Sequence, residues 1–405
     1  MTSGDETPAV GGGPAEAAGA SGAARTTAAT GAGAARTAPA TGAGARTAAG
    51  ARAGAAGTVT GHAVQETWQV LGPLMDLVTP MALRVAATLR LADFMPDDGT
   101  GEGAAAGDLA ERAGANPEAL ARVLRHLVAH GVFTEPRPGH FAANQTAAML
   151  RTGQPGAVWL DLDGFGGRMD LAFTGLAHTV RTGEPAWEQV FGLPFWDYLD
   201  ANPPIGASFD ATMAVDGGNI AVAERYDWTA VGHVADIGGG TGTLIAEVLQ
   251  RNPGLRGTLA DLPETAARAR EYLAGLGLDG RCEVVGQSFF DPLPRGADAY
   301  LLNRVIHDWD DAAATAILRR CAEAAGGTGR VLVVESHATP GSDPAAFAEM
   351  NLRMLVLTGG RERTMEDYAA LAADAGLQVT AVHEISGRDV IIECVVSGSQ
   401  RSRSV

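Results

Sequence analysis

The 405-residue chain contains no lysine, so each of its 30 Lys+Arg side chains is an arginine. Together with 54 glycines and a heavy alanine load, this reflects a GC-rich coding sequence rather than any chemistry. Cysteine is nearly as scarce. Cys282, Cys321 and Cys394 are single, widely spaced and odd in number, which argues against a disulfide framework or a zinc site and suits a reducing cytoplasm. No apolar run approaches the roughly 20 residues of a membrane span, so none is expected. Positive charge is also in deficit, with a formal net charge of −17. Arg25, Arg36, Arg46 and Arg52 nearly balance Asp5, Glu6 and Glu16, so the negative charge belongs to the chain beyond its first 60 residues. Such a surface repels nucleic acid and anionic membranes.

Residues 1–61 lack aromatic side chains and apolar periodicity. Fragments such as AARTA and TGAGA cannot offset the entropy of ordering their backbone, so this stretch reads as a disordered tail. Its Arg and Thr also suit a transit sequence, but it has neither an apolar h-region nor an amphipathic stripe. The remaining 345 or so residues suffice for one large or two ordinary domains.

Within 62–155, VLGPLMDLVTPMALRVAATLRLADFM has apolar residues at spacings of three and four, the mark of helices. AGDLAERAGANPEALARVLRHLVAHGVFTEPRPGHFAA follows as helix, turn, helix and a hairpin turning at PRPG, a winged-helix outline. Arg122, Arg125 and His126 on its second helix would suit DNA reading. The alternative, packing against a partner subunit, fits the acidic balance better. Residues 156–224 are helical and rich in aromatics, including Trp159, Phe165, Trp187, Phe195, Trp196 and Phe209. Aromatic clusters are usually core, but FGLPFWDYLDANPP is too broken by Gly and Pro for long core helices, so some of these rings are expected to line a pocket. Through 225–398 strands alternate with helices, which predicts a parallel, doubly wound α/β sheet, and LQVTAVHEI, SGRD and VIIECVVS close it as an antiparallel hairpin. Residues 399–405 form a second short tail.

The strand HVADI leads into glycines at 238, 240 and 242, giving G-x-G-x-G rather than the G-x-G-x-x-G of dinucleotide enzymes. Asp236, just ahead of the loop, would repel a pyrophosphate and suits a ligand carrying positive charge. Adenosylmethionine, with an ammonium and a sulfonium, meets that requirement. Asp261, at the end of the second strand and followed by Leu262 and Pro263, stands where α/β folds hold a ribose diol. Ser288 and Phe289, in GQSFF, offer a polar contact and an apolar wall to an adenine. His307, in IHDWDD after the fourth strand, lies at the carboxyl edge of the sheet, where Asp308, Asp310 or Asp311 can cap the next helix and leave the imidazole free.

VADIGGGTGTL, FFDPLPRGADAYLLNRVIHDWDD, GRVLVVES and GGRERTMEDYAALAADAGL, in that order, resemble the adenosylmethionine-dependent small-molecule O-methyltransferases of the caffeate-methylating and bacterial polyketide-tailoring kind. The resemblance runs from about residue 62 to the end. It implies a class I methyltransferase Rossmann-like sheet behind an all-α winged-helix dimerisation domain, a homodimer and S-adenosyl-L-methionine as cofactor. It makes His307 the general base, flanked by Glu335 and Glu362, and sets Gly238 and Gly240 at the cofactor. A phenol with a pKa near 10 exceeds a free histidine by roughly 3.5 units, about 5 kcal/mol if met in full, so the flanking carboxylates have a clear purpose.

The chain departs from the family where Ser288 replaces a common Asp, Asn303 replaces the Lys of plant members and Asn351 replaces an Asp. No separate carboxylate set for Mg²⁺ is evident, and no metal is expected. An aromatic acceptor is expected against Trp159, Phe195, Met213, Asp308, Met350 and Met354. Two further enzyme readings are open: N- or C-methylation on the same frame, and a non-methylating relative such as a hydroxylase or decarboxylase. From another class, a winged-helix regulator that senses a metabolite would explain the first domain but leave His307 unused.

Overall fold

In HVADI, alternate residues face opposite sides, and Val234 on one face with Ala235 and Ile237 on the other are apolar, the pattern of a strand buried on both faces. The computed structural model, which describes residues 61–214, 218–337, 344–386 and 389–398, sets this strand in the middle of a seven-stranded sheet. Residues from Thr67 onward form one compact unit. The tail expected at 1–61 lies outside the described residues except for Gly61, which begins a helix, and 399–405 lies wholly outside them.

The first described helices are α1 (Gly61–Met75) and α2 (Val78–Thr88), followed by α3 (Ala106–Ala113) and α4 (Pro117–Ala129). A small sheet of β1 (Ala104–Ala105), β2 (Phe133–Arg137) and β3 (His140–Ala143) completes the winged-helix outline, in the order β1-β3-β2, and α5 (Gln145–Ala148) follows. Asn116 caps α4 by accepting from the Glu118 and Ala119 N–H groups, which is why this helix starts where it does. Leu91, Leu109, Leu124, Leu127, Phe133 and Phe141 form the core here.

One expectation is corrected. Trp68–Thr88 spans 21 residues with a mean hydropathy of 1.4, long and apolar enough to cross a membrane, yet only 17% of it is buried in this chain. The helix is interrupted at Asp76, whose carboxylate accepts from the Val78 and Thr79 N–H groups and starts α2 afresh. Leu74, 82% exposed, with Leu77 and Val78, leaves an apolar face on this region. The face proposed for DNA reading is engaged otherwise: Arg122 pairs with Glu118, Arg125 lies 3.4 Å from Glu135, and His126 Nε2 lies 2.9 Å from Thr79 Oγ1 of α2.

Short helices follow: α6 (Pro155–Trp159), α7 (Phe165–Ala172), α8 (Leu176–Thr182), α9 (Ala186–Phe191), α10 (Phe195–Ala201), α11 (Pro203–Ala214) and α12 (Gly218–Arg225). They enclose an aromatic cluster around Phe165, Trp187 and Phe195. An ion pair between Arg84 of α2 and Asp170 of α7 ties the first region to this one, with Arg84 Nη2 donating at 2.9 Å.

The main sheet comprises β4 (His233–Ile237), β5 (Arg256–Asp261), β6 (Cys282–Gly286), β7 (Ala299–Asn303), β8 (Arg330–Ser336), β9 (Leu377–Ser386) and β10 (Asp389–Val396). Its order is β6-β5-β4-β7-β8-β10-β9, with β10 antiparallel to both neighbours. Gly387 and Arg388 of the expected SGRD turn lie outside the described residues. Two helices, α13 (Thr243–Arg251) and α14 (Pro263–Gly275), pack their apolar stripes with Val234 and Leu259. Two others, α15 (Asp311–Ala325) and α17 (Met365–Asp374), pack on the opposite side with Ile237, Tyr300 and Leu302. Full burial of side chains such as Leu244 and Ile317 stabilises this sandwich by about 1.5–3 kcal/mol each. Between β8 and α17 lies α16 (Pro344–Leu357), a helix absent from the expected alternation. The third strand of this part, β6, stops at Gly286, so QSFF lies beyond it.

Candidate active site

The glycine loop leaves β4 at Gly238 in a left-handed conformation, φ 70°. A Cβ there would lie 2.9 Å from Val305 Cγ2 and 3.5 Å from the Phe289 ring, so glycine is needed for both backbone and space. At Gly240 the added atom would meet open space, leaving that backbone approachable by a ligand. Asp261 closes the other side of the site. Its Oδ2 accepts from the Gly240 N–H at 2.8 Å and its Oδ1 from the Leu262 N–H at 2.7 Å, with lone pairs remaining for a ribose diol. Burial pushes this carboxyl up to about 6 although both N–H groups pull it down.

Asp236 is placed otherwise than expected. It occupies the α13 side of β4, where the backbone at Gly239 covers it closely, with only 1% of its surface exposed. Burial, then the neighbouring Asp261, pushes it up to about 7. Both of its carboxylate oxygens are buried with no hydrogen-bond partner among the described residues.

Ser288 and Phe289 follow β6 in a turn where Ser288 Oγ accepts from the Phe290 N–H at 3.2 Å. Phe289 and Phe290 pack edge-on against Trp309, with ring centroids 5.7 and 5.0 Å away. Trp309 in turn lies nearly parallel to Trp196 of α10, at 6.1 Å and 13°. An aromatic path thus joins the loop after β6 to the helical cluster. Trp309 escaped the sequence reading, although its place in HDWDD beside His307 was a usable signal. Asn303 Nδ2 donates to Asn219 Oδ1 at 3.4 Å, and Asn219 Nδ2 to Thr243 Oγ1 at 2.9 Å, so Asn303 reaches the start of α13 through a neighbour.

His307 sits in a single 3-10 turn between β7 and α15 and is buried. Its Nδ1–H donates to Glu362 Oε1 at 2.9 Å, while Glu335 Oε2 lies 3.8 Å from the same nitrogen. A carboxylate on Nδ1 fixes the proton there and leaves Nε2 as the basic atom. Glu335 is fully buried, and its Oε1 accepts from the backbone N–H groups of Ile306 at 2.8 Å and His307 at 3.3 Å. Asn351 Oδ1 accepts from the Glu362 N–H at 3.0 Å and so orients the second glutamate. Burial pulls the His307 pKa down, but Glu335, Asp308 and Glu362 outweigh it and raise it to about 9. Asp308 Oδ1 lies 3.7 Å from Nε2, and burial pushes this acid up to about 7 against the lowering effect of His307.

The mismatch with a phenol therefore shrinks to about one unit, or about 1.4 kcal/mol. The cost is that the free base is protonated at neutral pH. If His307 is the base, kcat/KM for the acceptor rises about tenfold per pH unit from neutrality and levels off near pH 9. A steady-state profile from pH 6 to 10 checks this; a flat profile would assign the proton elsewhere.

The structure brings Trp159, Phe195, Met350 and Met354 into one aromatic-lined cluster, with Met354 and Phe195 buried. Met213, by contrast, is 41% exposed on α11 and stands outside that cluster. Among the described residues no group of three or more His, Cys, Asp or Glu side chains is placed to hold a metal ion.

Residues 173–378 match the O-methyltransferase domain model and residues 74–153 the O-methyltransferase dimerisation domain model. The chain belongs to the adenosylmethionine-dependent O-methyltransferase family. It is 47% identical over 320 residues to the 2,7-dihydroxy-5-methyl-1-naphthoate 7-O-methyltransferase of Streptomyces carzinostaticus, covering 78% of this chain and 94% of the relative. It is also 42% identical over 333 residues to the aclacinomycin 10-hydroxylase of Streptomyces purpurascens, covering 79% and 88%. Among solved structures, an O-methyltransferase from neocarzinostatin biosynthesis in complex with S-adenosylmethionine and 2-hydroxy-5-methyl naphthoic acid superposes with a TM-score of 0.72 at 45% identity, covering 80% of this chain and 98% of that one. This methyltransferase therefore has the class I fold, takes its methyl group from S-adenosylmethionine and carries the family's dimerisation region.

Proposed function

We propose that the enzyme methylates a phenolic hydroxyl of a hydroxylated, fused-ring aromatic metabolite, with His307 as general base. The observation that carries this reading is the buried Glu362–His307 pair, which fixes the proton on Nδ1 and leaves Nε2 as the basic atom. When bound, the cofactor supplies an electrophilic methyl group on a sulfonium. Gly238 and Gly240 would hold its amino-acid end, Asp261 its ribose, and Leu262, Ser288 and Phe289 its adenine, with Asn303 acting through Asn219 and Thr243. The open face at Gly240 and the spare lone pairs of Asp261 fit such a group.

His307 Nε2 accepts the phenol proton, and Glu362 and Glu335 stabilise the imidazolium that forms. Trp159, Phe195, Met350 and Met354 would form the acceptor's apolar surroundings, and Asp308 suits an oxygen substituent next to the methylated one. The naphthoate 7-O-methyltransferase relative supports a fused-ring acceptor. The dimerisation region, with its exposed apolar face at Leu74, Leu77 and Val78, supports a homodimer, and the free Cys282, Cys321 and Cys394 suit a reducing cytoplasm.

The hydroxylase relative makes non-methylating chemistry the second reading. Incubation of the enzyme with labelled S-adenosylmethionine and a panel of hydroxynaphthoates and larger aromatic polyketides separates the two. Label in an O-methylated product is expected, from a species of twice the chain's 41.4 kDa mass by sedimentation. A hydroxylated, unlabelled product would overturn the proposal.

A further inference from the structure

Four consecutive residues, Gly360 to Arg363, lie against the turn that carries His307. A Cβ at Gly360 would fall 2.1 Å from the His307 carbonyl oxygen, so the two backbones touch. The Arg361 N–H donates to that same oxygen at 2.9 Å, and the Glu362 carboxylate holds the imidazole. Arg363 completes the set. Its side chain is fully buried, one of the largest such in the chain. Nη1 donates to the Ile306 carbonyl at 2.9 Å and the Arg361 carbonyl at 3.4 Å. Nη2 donates to the Trp309 carbonyl at 2.7 Å and Asp311 Oδ1 at 2.8 Å, and Nε to the same Asp311 oxygen at 3.1 Å.

All five N–H groups of the guanidinium are thus used. Enclosing a charge this fully carries a desolvation penalty that a well-packed apolar side chain would avoid, so stability alone does not account for it. The bonds secure the carbonyl before His307, the one two residues after it, and the first residue of α15. From these contacts we propose that Arg363 is a positioning residue for the general base, holding the His307 turn so that the imidazole meets Glu362. This rests on the reading of His307 as the base. Lysine cannot replace the fork, because an ammonium offers three donors from one point and does not span both carbonyls and the carboxylate.

The test measures Arg363→Lys for kcat, cofactor KM, melting temperature and pH profile. The expected result is a fall in kcat of at least about tenfold with cofactor KM within about twofold. The alkaline levelling should move to lower pH by about one unit, because an imidazole displaced from Glu362 loses one of the three carboxylates, with Glu335 and Asp308, that raise it. Unchanged kcat and profile would overturn the proposal, as would a lower kcat with the profile unmoved, since that marks a purely structural role. Asp311→Asn keeps the test decisive should the lysine variant not fold. Asp311 is 55% exposed and its replacement weakens two of the five bonds, so a smaller fall, about threefold, with the same direction of pH shift is expected. Unaltered kinetics in that variant would overturn the proposal. Failure of the underlying base assignment is distinguishable, because it would show as undiminished methyl transfer by His307→Ala.

Discussion

His307→Ala is expected to lower the single-turnover rate of methyl transfer by at least about a hundredfold while leaving cofactor affinity unchanged. The size follows from what the side chain does. Without Nε2 the acceptor must ionise to solvent, and at neutral pH a phenol with a pKa near 10 is about one part in a thousand phenolate. Cofactor affinity should hold because the groups proposed to bind it, the Gly238–Gly240 loop and Asp261, make no hydrogen bond to the imidazole. Stability should fall, because the buried Glu362 carboxylate loses the donor it has in the imidazole, while Glu335 retains its two backbone donors. Rapid-quench measurement with labelled donor, beside calorimetric titration of the cofactor, decides the matter. Transfer at the wild-type rate would show that approximation alone suffices, whereas loss of cofactor binding would place His307 in the binding site.

Gly360→Ala is expected to be the more severe change although it adds one methyl group and removes no titrating atom. The new Cβ would sit 2.1 Å from the His307 carbonyl oxygen and 2.5 Å from the Asp308 carbonyl carbon, both backbone atoms that no rotamer change can move. The chain must therefore separate there. Separation breaks the Arg361 N–H bond to His307 and withdraws Glu362 from the imidazole. Overpacking of this kind costs about 3 kcal/mol, and the activity loss should exceed about a hundredfold because the base loses its orientation with its partner. Gly280→Ala, whose Cβ would meet nothing within 4 Å, serves as the matched control and should leave melting temperature and rate unaltered. Equal behaviour of the two variants would show that the contact between the turns is loose.

Much of this architecture is legible in local patterns. HVADI displays its double burial by apolar residues on both faces, the glycine loop declares itself by composition, and His307, Glu335 and Glu362 each end or follow a recognisable segment. The remainder depends on distance along the chain. Arg363 donates to Ile306, 57 residues away, and GGRER gives no sign of which of its arginines turns inward. Asp236 illustrates a second limit, because its residue type indicates charge whereas its register on β4 determines that it is buried beneath Gly239. Helix α16 was missed because PAAFAEMNLRMLVL is apolar on nearly all sides and shows no single stripe. The apolar face of Trp68–Thr88 is a third case: its helical spacing is plain, but nothing in it says that the face it predicts stays uncovered within one chain.

The position of β10 bears on how the enzyme is made. Although it is the last strand of the main sheet in chain order, it does not lie at the edge; it wedges between β8 and β9 and pairs Val390 with Glu335. Until that strand emerges from the ribosome, β8 presents an open edge, and the glutamate that secures the His307 turn sits on a strand with one side bare. The nascent polypeptide can thus assemble the half that carries the glycine loop early, around β4, β5 and β6, whereas the His307 turn acquires its full support only at the end of synthesis.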